Sequence, residues 1–462
     1  MERFDVLVVG SGSGMAIVEG ALSKGMRVAL VDKDPLGGTC LNRGCIPSKT
    51  VIYPADLVQE INNAINLGVK ARVEHVDFSG IMERTSRSIA EDRHHMEEGV
   101  KRTRNLSFFP AQGEFVDEYI MKVGKDEFEA KNVFLVSGAR PDIPTIKGIE
   151  KVNFLTYNNV WDLRKAPESM VIVGGGYIAA EMAHFFNSMG VDVSVLSRSP
   201  WILRDADRDV SDTLTRALST RMKVLTSVEV TEVNEGGGIK SVTFKDQKGE
   251  LETISAESLF LATGVRGNAD ILKTVRTGVE ADSDGFIKVN SFFETSKPRI
   301  WAFGDAIGKA MFKHVANREA ELVWHSFDHG HKQALDYDKV PYAIFSWPEV
   351  ASVGLTEEEC VRRGLRYLVG KYSYRDTAYG AAMGETEGFA KLIIQDESYK
   401  ILGFHIVGPH APILIHEVII AMNSGEGVVD PLVDAVHIHP ALSEVIQRTT
   451  WRLGHPNLDE PR

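Results

Sequence analysis

Cysteine is scarce: Cys40, Cys45 and Cys360 are the only three in 462 residues. That excludes a disulfide-stapled scaffold and makes a closely spaced pair chemistry rather than architecture. No apolar run reaches the ~18 residues that a membrane-spanning helix needs, so no membrane partner is expected. Low-complexity tracts are missing. So is an excess of positive charge: 52 Lys and Arg stand against 64 Asp and Glu, a net charge of −12. That balance argues against general binding of nucleic acid or anionic membranes. The strand-like segment Phe4 to Val9 has no basic stretch, apolar stretch and cleavage site before it, so a cytoplasmic protein is expected.

What is present is the balance of a soluble globular protein, 43% apolar and 25% charged, at a length that suits about three domains of ~150 residues. Two segments look alike. Asp5-Val6-Leu7-Val8-Val9 runs into Gly10-Ser11-Gly12-Ser13-Gly14, and Met170-Val171-Ile172-Val173 runs into Gly174-Gly175-Gly176-Tyr177-Ile178. A helix-like stretch and a second apolar run follow each, Val28 to Val31 and Val193 to Leu196. The turns lie 164 positions apart, too far for a solenoid repeat and suited to two dinucleotide-binding units. From about residue 340 the pattern changes. Ala351 to Gly354, Ala390 to Ile394 and Leu402 to Val407 are strand-like, and isoleucine-rich Pro412 to Met422 reads as a buried helix. The tail Gly454 to Arg462, rich in proline and charge, reads as mobile. The expected fold class is α/β, with two Rossmann-like dinucleotide-binding domains followed by a C-terminal α+β domain.

The first turn is Gly10-x-Gly12, with Asp32 closing the next strand 20 residues after Gly12. Such glycines let the backbone approach a pyrophosphate at a helix N-terminus, and the carboxylate accepts from ribose hydroxyls. Met15 stands at the third glycine position, which governs helix–strand packing, so the helix is expected slightly farther out. The second turn is Gly174-x-Gly176-x-x-Ala179, alanine being allowed in third place. Its second strand ends without an acid, in Leu196-Ser197-Arg198-Ser199, with Arg204 soon after. A missing carboxylate removes repulsion from a 2′-phosphate, and two guanidiniums can grip one. The first turn therefore reads as a site for an unphosphorylated adenosine such as that of FAD, the second as NADP-preferring.

Gly37-Gly38-Thr39-Cys40-Leu41-Asn42-Arg43-Gly44-Cys45-Ile46-Pro47-Ser48-Lys49 follows the first turn directly. On a helix Cys40 and Cys45 stand at i and i+5, with both sulfurs near one face. A zinc role would need further ligands, and no second cysteine pair exists, so no metal is expected. Near the C-terminus, His439 precedes Pro440, and Glu444 lies five residues beyond it. An imidazole beside a thiol lowers its pKa from about 8.5 and makes it a nucleophile; a carboxylate on the imidazole fixes its tautomer. His437 reads as structural, and Cys360, after a helix start at Thr356 to Glu359, as a bystander.

The cysteine segment resembles the signature of the pyridine nucleotide–disulfide oxidoreductases, the flavoprotein disulfide reductases, and the resemblance covers nearly the whole chain. Val136-Ser137-Gly138-Ala139-Arg140-Pro141 and Ala262-Thr263-Gly264-Val265-Arg266 resemble the family's two strand-exit motifs. Trp301-Ala302-Phe303-Gly304-Asp305-Ala306 resembles its second FAD motif, and His439-Pro440 with Glu444 its active-site base motif. The resemblance implies a hydride passed from NADPH through FAD and the Cys40–Cys45 disulfide to a small-molecule disulfide. Cys40 becomes the interchange thiol and Cys45 the charge-transfer thiol. Lys49 lies near the flavin and pairs with Glu181. Tyr177 gates the nicotinamide pocket, and His439, oriented by Glu444, is the acid–base, supplied by the other subunit of a homodimer. It also implies FAD contacts from Gly10, Gly12, Gly14, Asp32, Lys33, Gly38 and Thr39, from Ser137 and Gly138, and from Gly304, Asp305, His314 and Ala316. NADP contacts fall on Gly174, Gly176, Ile178, Ala179, Arg198, Arg204, Thr263 and Gly264.

The implied domains are 1–145 with 265–335 for FAD, 146–264 for NAD(P) and 336–462 for dimerisation. Within the family the chain is most similar to the mycothione reductase branch, through Asp376-x-Ala378-Tyr379-Gly380, His314 to Ala320 and Ile438 to Val445. The next is the dihydrolipoyl dehydrogenase branch, which works with NAD⁺ and usually has Glu where Ser197 stands. A docking subunit of a multienzyme complex is the reading from another class, and the intact Cys–Cys–His–Glu set argues against a purely binding role.

Overall fold

A computed structural model describes residues 1–455; the rest of the tail expected to be mobile lies outside the described residues. At the tail's start, Gly454 is fixed: it exchanges backbone hydrogen bonds of 2.9 and 3.0 Å with Val369.

The first apolar run forms β1 (Glu2–Val9), buried along most of its length. It pairs in parallel with β2 (Val28–Val31), which pairs in parallel with β3 (Leu106–Phe109). Continuous apolar runs are what a sheet covered on both faces requires. Two antiparallel strands, β4 (Gly113–Asp117) and β5 (Ile120–Val123), lead into β6 (Asp126–Leu135), which returns to lie parallel to β1. The strand Ile300–Ala302 pairs with the end of β6, so the chain comes back to its first sheet after a long excursion. Helix α1 (Met15–Ser23) crosses from β1 to β2.

The excursion carries a second parallel sheet of Lys223–Thr226, Asp192–Ser197, Ser169–Val173 and Ser258–Leu261, in that spatial order. A three-stranded antiparallel meander, 229–256, packs on it. Ala139–Pro141 and Val265–Gly267 pair antiparallel, so the paths out and back run side by side. A five-stranded antiparallel sheet completes the chain, its strands ordered Pro341–Ile344, Val350–Gly354, Ile401–Val407, Phe389–Gln395 and Tyr367–Ser373. The isoleucine-rich segment is not one buried helix. It forms two, Ala411–Leu414 and His416–Asn423, with Ile415 and Val418 in the core while Ile413 and Ile420 are 70% and 66% exposed. Its apolar content was legible; that only one face meets the sheet was not.

The cysteine segment forms α2 (Gly38–Asn42) and α3 (Cys45–Asn63), braced by α4 (Phe78–Arg102). Val51, Ile52 and Ala55 of α3 share one core with Phe78 and Met82 of α4 and with Phe185 and Phe186 of α5 (Tyr177–Ser188). Each large side chain so buried contributes about 1.5–3 kcal/mol, and together they bind the two halves at the base of the cysteine segment. Pro54 lies inside α3 and deprives the Thr50 carbonyl of its helical donor. The Arg84 guanidinium donates to that carbonyl instead, at 2.9 Å.

Candidate active site

The two glycine turns use one geometry. Gly10 has φ +108°, and a Cβ there would lie 2.1 Å from the Val136 carbonyl oxygen. Gly174 has φ +138°, and its Cβ would lie 2.1 Å from the Ala262 oxygen. Neither tolerates a side chain, because the neighbouring strand's exit presses on the turn. The expected outward shift of α1 is absent. A Cβ at Gly14 would stand 2.3 Å from the Gly10 oxygen and 2.8 Å from Val8 Cγ1. The close contact is thus made at Gly14, one place before the expected position, and Met15 packs against the core. Asp32 fastens the first turn: its Oδ2 accepts from the Ser11 amide at 2.8 Å and hydroxyl at 2.7 Å. Lys33 pairs with Asp34 at 2.6 Å.

A Cβ on Gly38 (φ +64°) would come within 2.8 Å of Gly12 Cα, so the cysteine segment rests directly on the first turn. The expectation of one helix through both cysteines fails here. Gly44, at φ −122° and ψ −109°, interrupts it; Cys40 and Thr39 sit in α2, and Cys45 is the first residue of α3. The break aims the N-terminus of a 19-residue helix at the Cys45 sulfur, and its partial positive charge favours a thiolate. Both thiols are free. The hydrogen bond from the Cys40 thiol, with the Lys49 charge, outweighs burial and brings Cys45 down to about 7. Cys40, as donor, is pushed up.

Cys40 and Cys45 open onto a cavity of about 1490 Å³, larger than the ~300–1,000 Å³ typical of a drug-sized ligand's site. Gly10, Gly12, Asp32, Lys33, Gly38 and Thr39 line it. So do Ser137, Gly138, Gly304 and Asp305, and Lys313, His314 and Ala316. From the second half come Tyr177, Ile178 and Glu181. Burial pushes the Asp305 carboxyl up to about 6, against the pull of Lys313. Burial also raises the Tyr177 phenol. The His314 ring nitrogen lies 2.7 Å from the Pro341 oxygen. Two buried atoms on these walls have no partner among the described residues, Ser137 Oγ and Asn42 Oδ1. A long cavity, a glycine turn at a helix start and orphaned polar atoms fit a bound dinucleotide.

Lys49 Nζ donates to both oxygens of Glu181, at 2.8 and 2.9 Å, across the two halves. Phe345, which no motif marked, donates its amide to Glu181 at 3.0 Å and sets its ring 4.4 Å from Lys49 Nζ. Trp161, also missed, donates its indole N–H to the Arg43 carbonyl at 3.0 Å and holds the break between the cysteines. Only the apolar setting of each hinted at burial; their partners are distant in sequence.

The remaining expected residues lie elsewhere. Gly14, Gly174, Gly176, Ala179, Arg198, Arg204, Thr263 and Gly264 are not on the cavity wall. Thr263 donates to the Asp142 carbonyl at 2.8 Å, and the Gly264 oxygen accepts from the Asp142 amide. Ser197 is buried, Arg198 is exposed, and Arg204 is paired with Asp205 at 3.2 Å. His439 and Glu444 form their pair, Nδ1 to Oε1 at 3.0 Å, with Glu444 also bound by Arg448 at 2.6 Å. Burial would raise Glu444, but His439, the Ala441 amide and Arg448 hold it low. His439 is 65% exposed and does not reach the cavity of its own chain's cysteines. His437 is engaged with Glu417 at 2.5 Å, and Cys360 is buried in a small apolar cluster. Among the described residues no helix is long and apolar enough to cross a membrane, and no three His, Cys, Asp or Glu are grouped to hold a metal ion.

The pyridine nucleotide-disulphide oxidoreductase family model matches residues 4–320, and the family's dimerisation domain matches 340–450. Mycothione reductase of Mycobacterium tuberculosis (strain H37Rv) is 34% identical over 460 residues, 97% of this chain and 98% of that protein. Dihydrolipoyl dehydrogenase of Chlamydia muridarum is 30% identical over 453 residues, 96% of this chain and 95% of that one. The solved Cu(II) complex of the HOCl-induced flavoprotein disulfide reductase RclA from Escherichia coli has the same fold. It gives a TM-score of 0.86 at 24% identity, over 98% of this chain and all (100%) of that one.

Proposed function

Because this chain belongs to the pyridine nucleotide-disulphide oxidoreductase family and is a flavin-dependent disulfide oxidoreductase working with NAD(P)H, we propose that it oxidises NADPH and reduces a small disulfide of the mycothione kind. The observation that carries this is the free Cys40–Cys45 pair, with Cys45 held near 7, on the wall that also presents Gly10 to Ser13 and the Lys49–Glu181 bridge. FAD, held by the residues named for it, would supply the two-electron chemistry between coenzyme and cysteines.

The protein's own part is thiol exchange. The Cys40 thiol gives its proton to an imidazole and its sulfur attacks the substrate disulfide; one S–S bond breaks, one forms, and one substrate thiolate leaves, taking that proton back from the imidazolium. Cys45, as thiolate, then attacks Cys40, displaces the second half of the substrate as a thiolate that takes its proton from solvent, and leaves a Cys40–Cys45 disulfide. The two electrons given to the substrate are restored by NADPH. His439 suits the proton transfer, and its distance from its own cysteines supports a homodimer, built through the dimerisation domain, in which it serves the partner. The domain limits 1–145 with 265–335, 146–264 and 336–462, a cytoplasmic location and the individual cofactor contacts belong to the same proposal.

A second reading, oxidation of dihydrolipoamide with NAD⁺, is favoured by the dihydrolipoyl dehydrogenase relatives at 30–31% identity. The test is a panel of mycothione, glutathione disulfide, bis-γ-glutamylcystine, coenzyme A disulfide and lipoamide, each with NADPH and NADH. Fastest turnover of mycothione with NADPH is expected; fastest turnover of lipoamide with NADH gives the second reading.

A further inference from the structure

Lys391 is a charged side chain only 1% exposed. Strand register places it in a row across the C-terminal sheet: Lys371, Lys391, His405, Ser352 and Tyr342. Residues directly opposite share a face. On that face Lys391 Nζ donates to Asp207 Oδ1 at 2.8 Å and Asp209 Oδ2 at 3.0 Å, and pairs with Glu357. Lys371 adds a contact to Asp209 at 3.2 Å. The two aspartates belong to the other half of the molecule. They are the cap and first turn of α6 (Arg208–Ser219), which follows the second glycine turn's sheet strand. Burial would raise the Asp207 carboxyl, but His405 and Lys391 outweigh it and hold it low. For Asp209, Lys391 and Lys371 do the same.

The segment leading into that cap carries Arg198 and Arg204, and it is tied between them, at Ile202 and Leu203. The Ile202 amide donates to Thr215 Oγ1 at 2.9 Å, and Ser211 Oγ donates to the Leu203 carbonyl at 2.6 Å. The Leu203 amide donates to the Gly175 carbonyl at 2.7 Å. The Arg208 guanidinium lies 3.2 Å over the Trp201 ring. The second glycine turn, the arginine segment and α6 are therefore one bonded piece, anchored by a lysine from another domain. Desolvating an ammonium against carboxylates is a poor way to gain stability over an apolar core; it does fix one geometry.

We propose that Lys391 is a positioning residue for the coenzyme. Through Asp207 and Asp209 it holds the start of α6, and so sets the Arg198–Arg204 segment to receive the coenzyme's adenosine phosphate. This rests on the reading of the Gly174 turn as the NADP site.

The test uses the flavin-loaded enzyme and three variants, Asp207→Asn, Lys391→Met and Lys371→Met. Asparagine caps a helix as well as aspartate, so Asp207→Asn removes the charge and keeps the cap. KM for NADPH, kcat, melting temperature and the Kd of 2′,5′-ADP by calorimetry are measured. Asp207→Asn and Lys391→Met should raise KM and Kd by about five- to tenfold with kcat within about twofold, and Lys371→Met by about twofold. A lower melting temperature with KM and Kd unchanged would make the cluster merely structural and overturn the proposal. If Lys391→Met does not fold, Asp207→Asn decides the matter alone. If the unmodified enzyme binds 2′,5′-ADP no better than 5′-AMP, the NADP reading fails. A raised Kd for 5′-AMP in Asp207→Asn then still supports positioning, and an unchanged one overturns it.

Discussion

The two glycine turns are near-copies that differ in what surrounds them. Both first glycines hold a left-handed φ against a carbonyl 2.1 Å from where a side chain would begin. After that they diverge. The first is closed by Asp32 and has the cysteine segment seated on it through Gly38. The second is closed by buried Ser197, passes to an exposed arginine segment, and is anchored from the C-terminal sheet by Lys391. One backbone device thus stands in two settings: one turn lies under the cysteine segment, and the other opens toward an arginine-bearing loop. The Lys49–Glu181 bridge joins them.

The sharpest way to separate the halves is to stop the chemistry of one. Cys45→Ser should lower disulfide reduction by about 10³-fold or more, because the mixed disulfide on Cys40 loses its resolving thiol. Flavin content and NADPH-dependent reduction of ferricyanide should persist, since neither turn is touched. Loss of both activities together would mean that the halves are not separable.

The glycines themselves come next. Gly10→Ala and Gly174→Ala each impose about 1–3 kcal/mol of backbone strain, besides the clash. The expected consequences differ: Gly10→Ala protein purifies without flavin, whereas Gly174→Ala protein stays yellow and loses about 10²-fold in kcat/KM for the coenzyme. Absorbance spectra and coenzyme kinetics on the two proteins check this. An identical defect in both would erase the distinction.

Much of this contrast was legible in the sequence, because glycine turns, the Cys40–Cys45 segment and the His439–Glu444 pair are local. They need only a few consecutive residues and a known backbone shape. What was not legible depends on distant neighbours. The helix break is an exception, because Gly44 and Pro47, which has no N–H to donate to the Arg43 carbonyl, signal it locally. Close packing at Gly14 in place of Met15 depends on the Gly10 oxygen and the Val8 side chain. Phe345 reaches Glu181 across 164 positions and Lys391 reaches Asp207 across 184, distances over which a single sequence carries no pairing signal.

The helix break has its own consequence for acidity. Cys45, near 7 in the dithiol protein, is a thiol below that pH and a thiolate above it. The donor bond from Cys40 is the largest cause, so Cys40→Ala should move the titration up by about one unit, toward the ordinary ~8.5. Lys49→Met should move it the same way by less. Thiolate absorbance at 240 nm against pH reads both. By linkage, the lowered value gives the reduced fold stability that is present above the unfolded pKa of ~8.5 and lost as pH falls through 7. A midpoint unmoved by Cys40→Ala would leave the helix N-terminus as the cause.

The smallest effect is expected where the second turn is most open. Arg204 is 63% exposed and already paired with Asp205, so solvent and that carboxylate screen its pull on a 2′-phosphate. Arg198→Ala should therefore raise KM for NADPH by about tenfold, and Arg204→Ala by only about threefold, with kcat little changed because the phosphate is far from the reacting ring. Asp205→Asn should act oppositely, freeing Arg204 and lowering KM by about twofold. Full reversal toward NADH requires an acceptor for the ribose where Ser197 stands. Ser197 is buried, with its Oγ only 2.3 Å from where a Gly175 Cβ would be, so Ser197→Glu has to push the turn outward. Combined with Arg198→Ala, it should repel NADPH strongly while gaining little for NADH. Steady-state kinetics with both coenzymes measure this. An efficient NADH enzyme from that double substitution would mean that the second turn is as adaptable as its arginine segment, and that the anchored geometry does not set coenzyme choice.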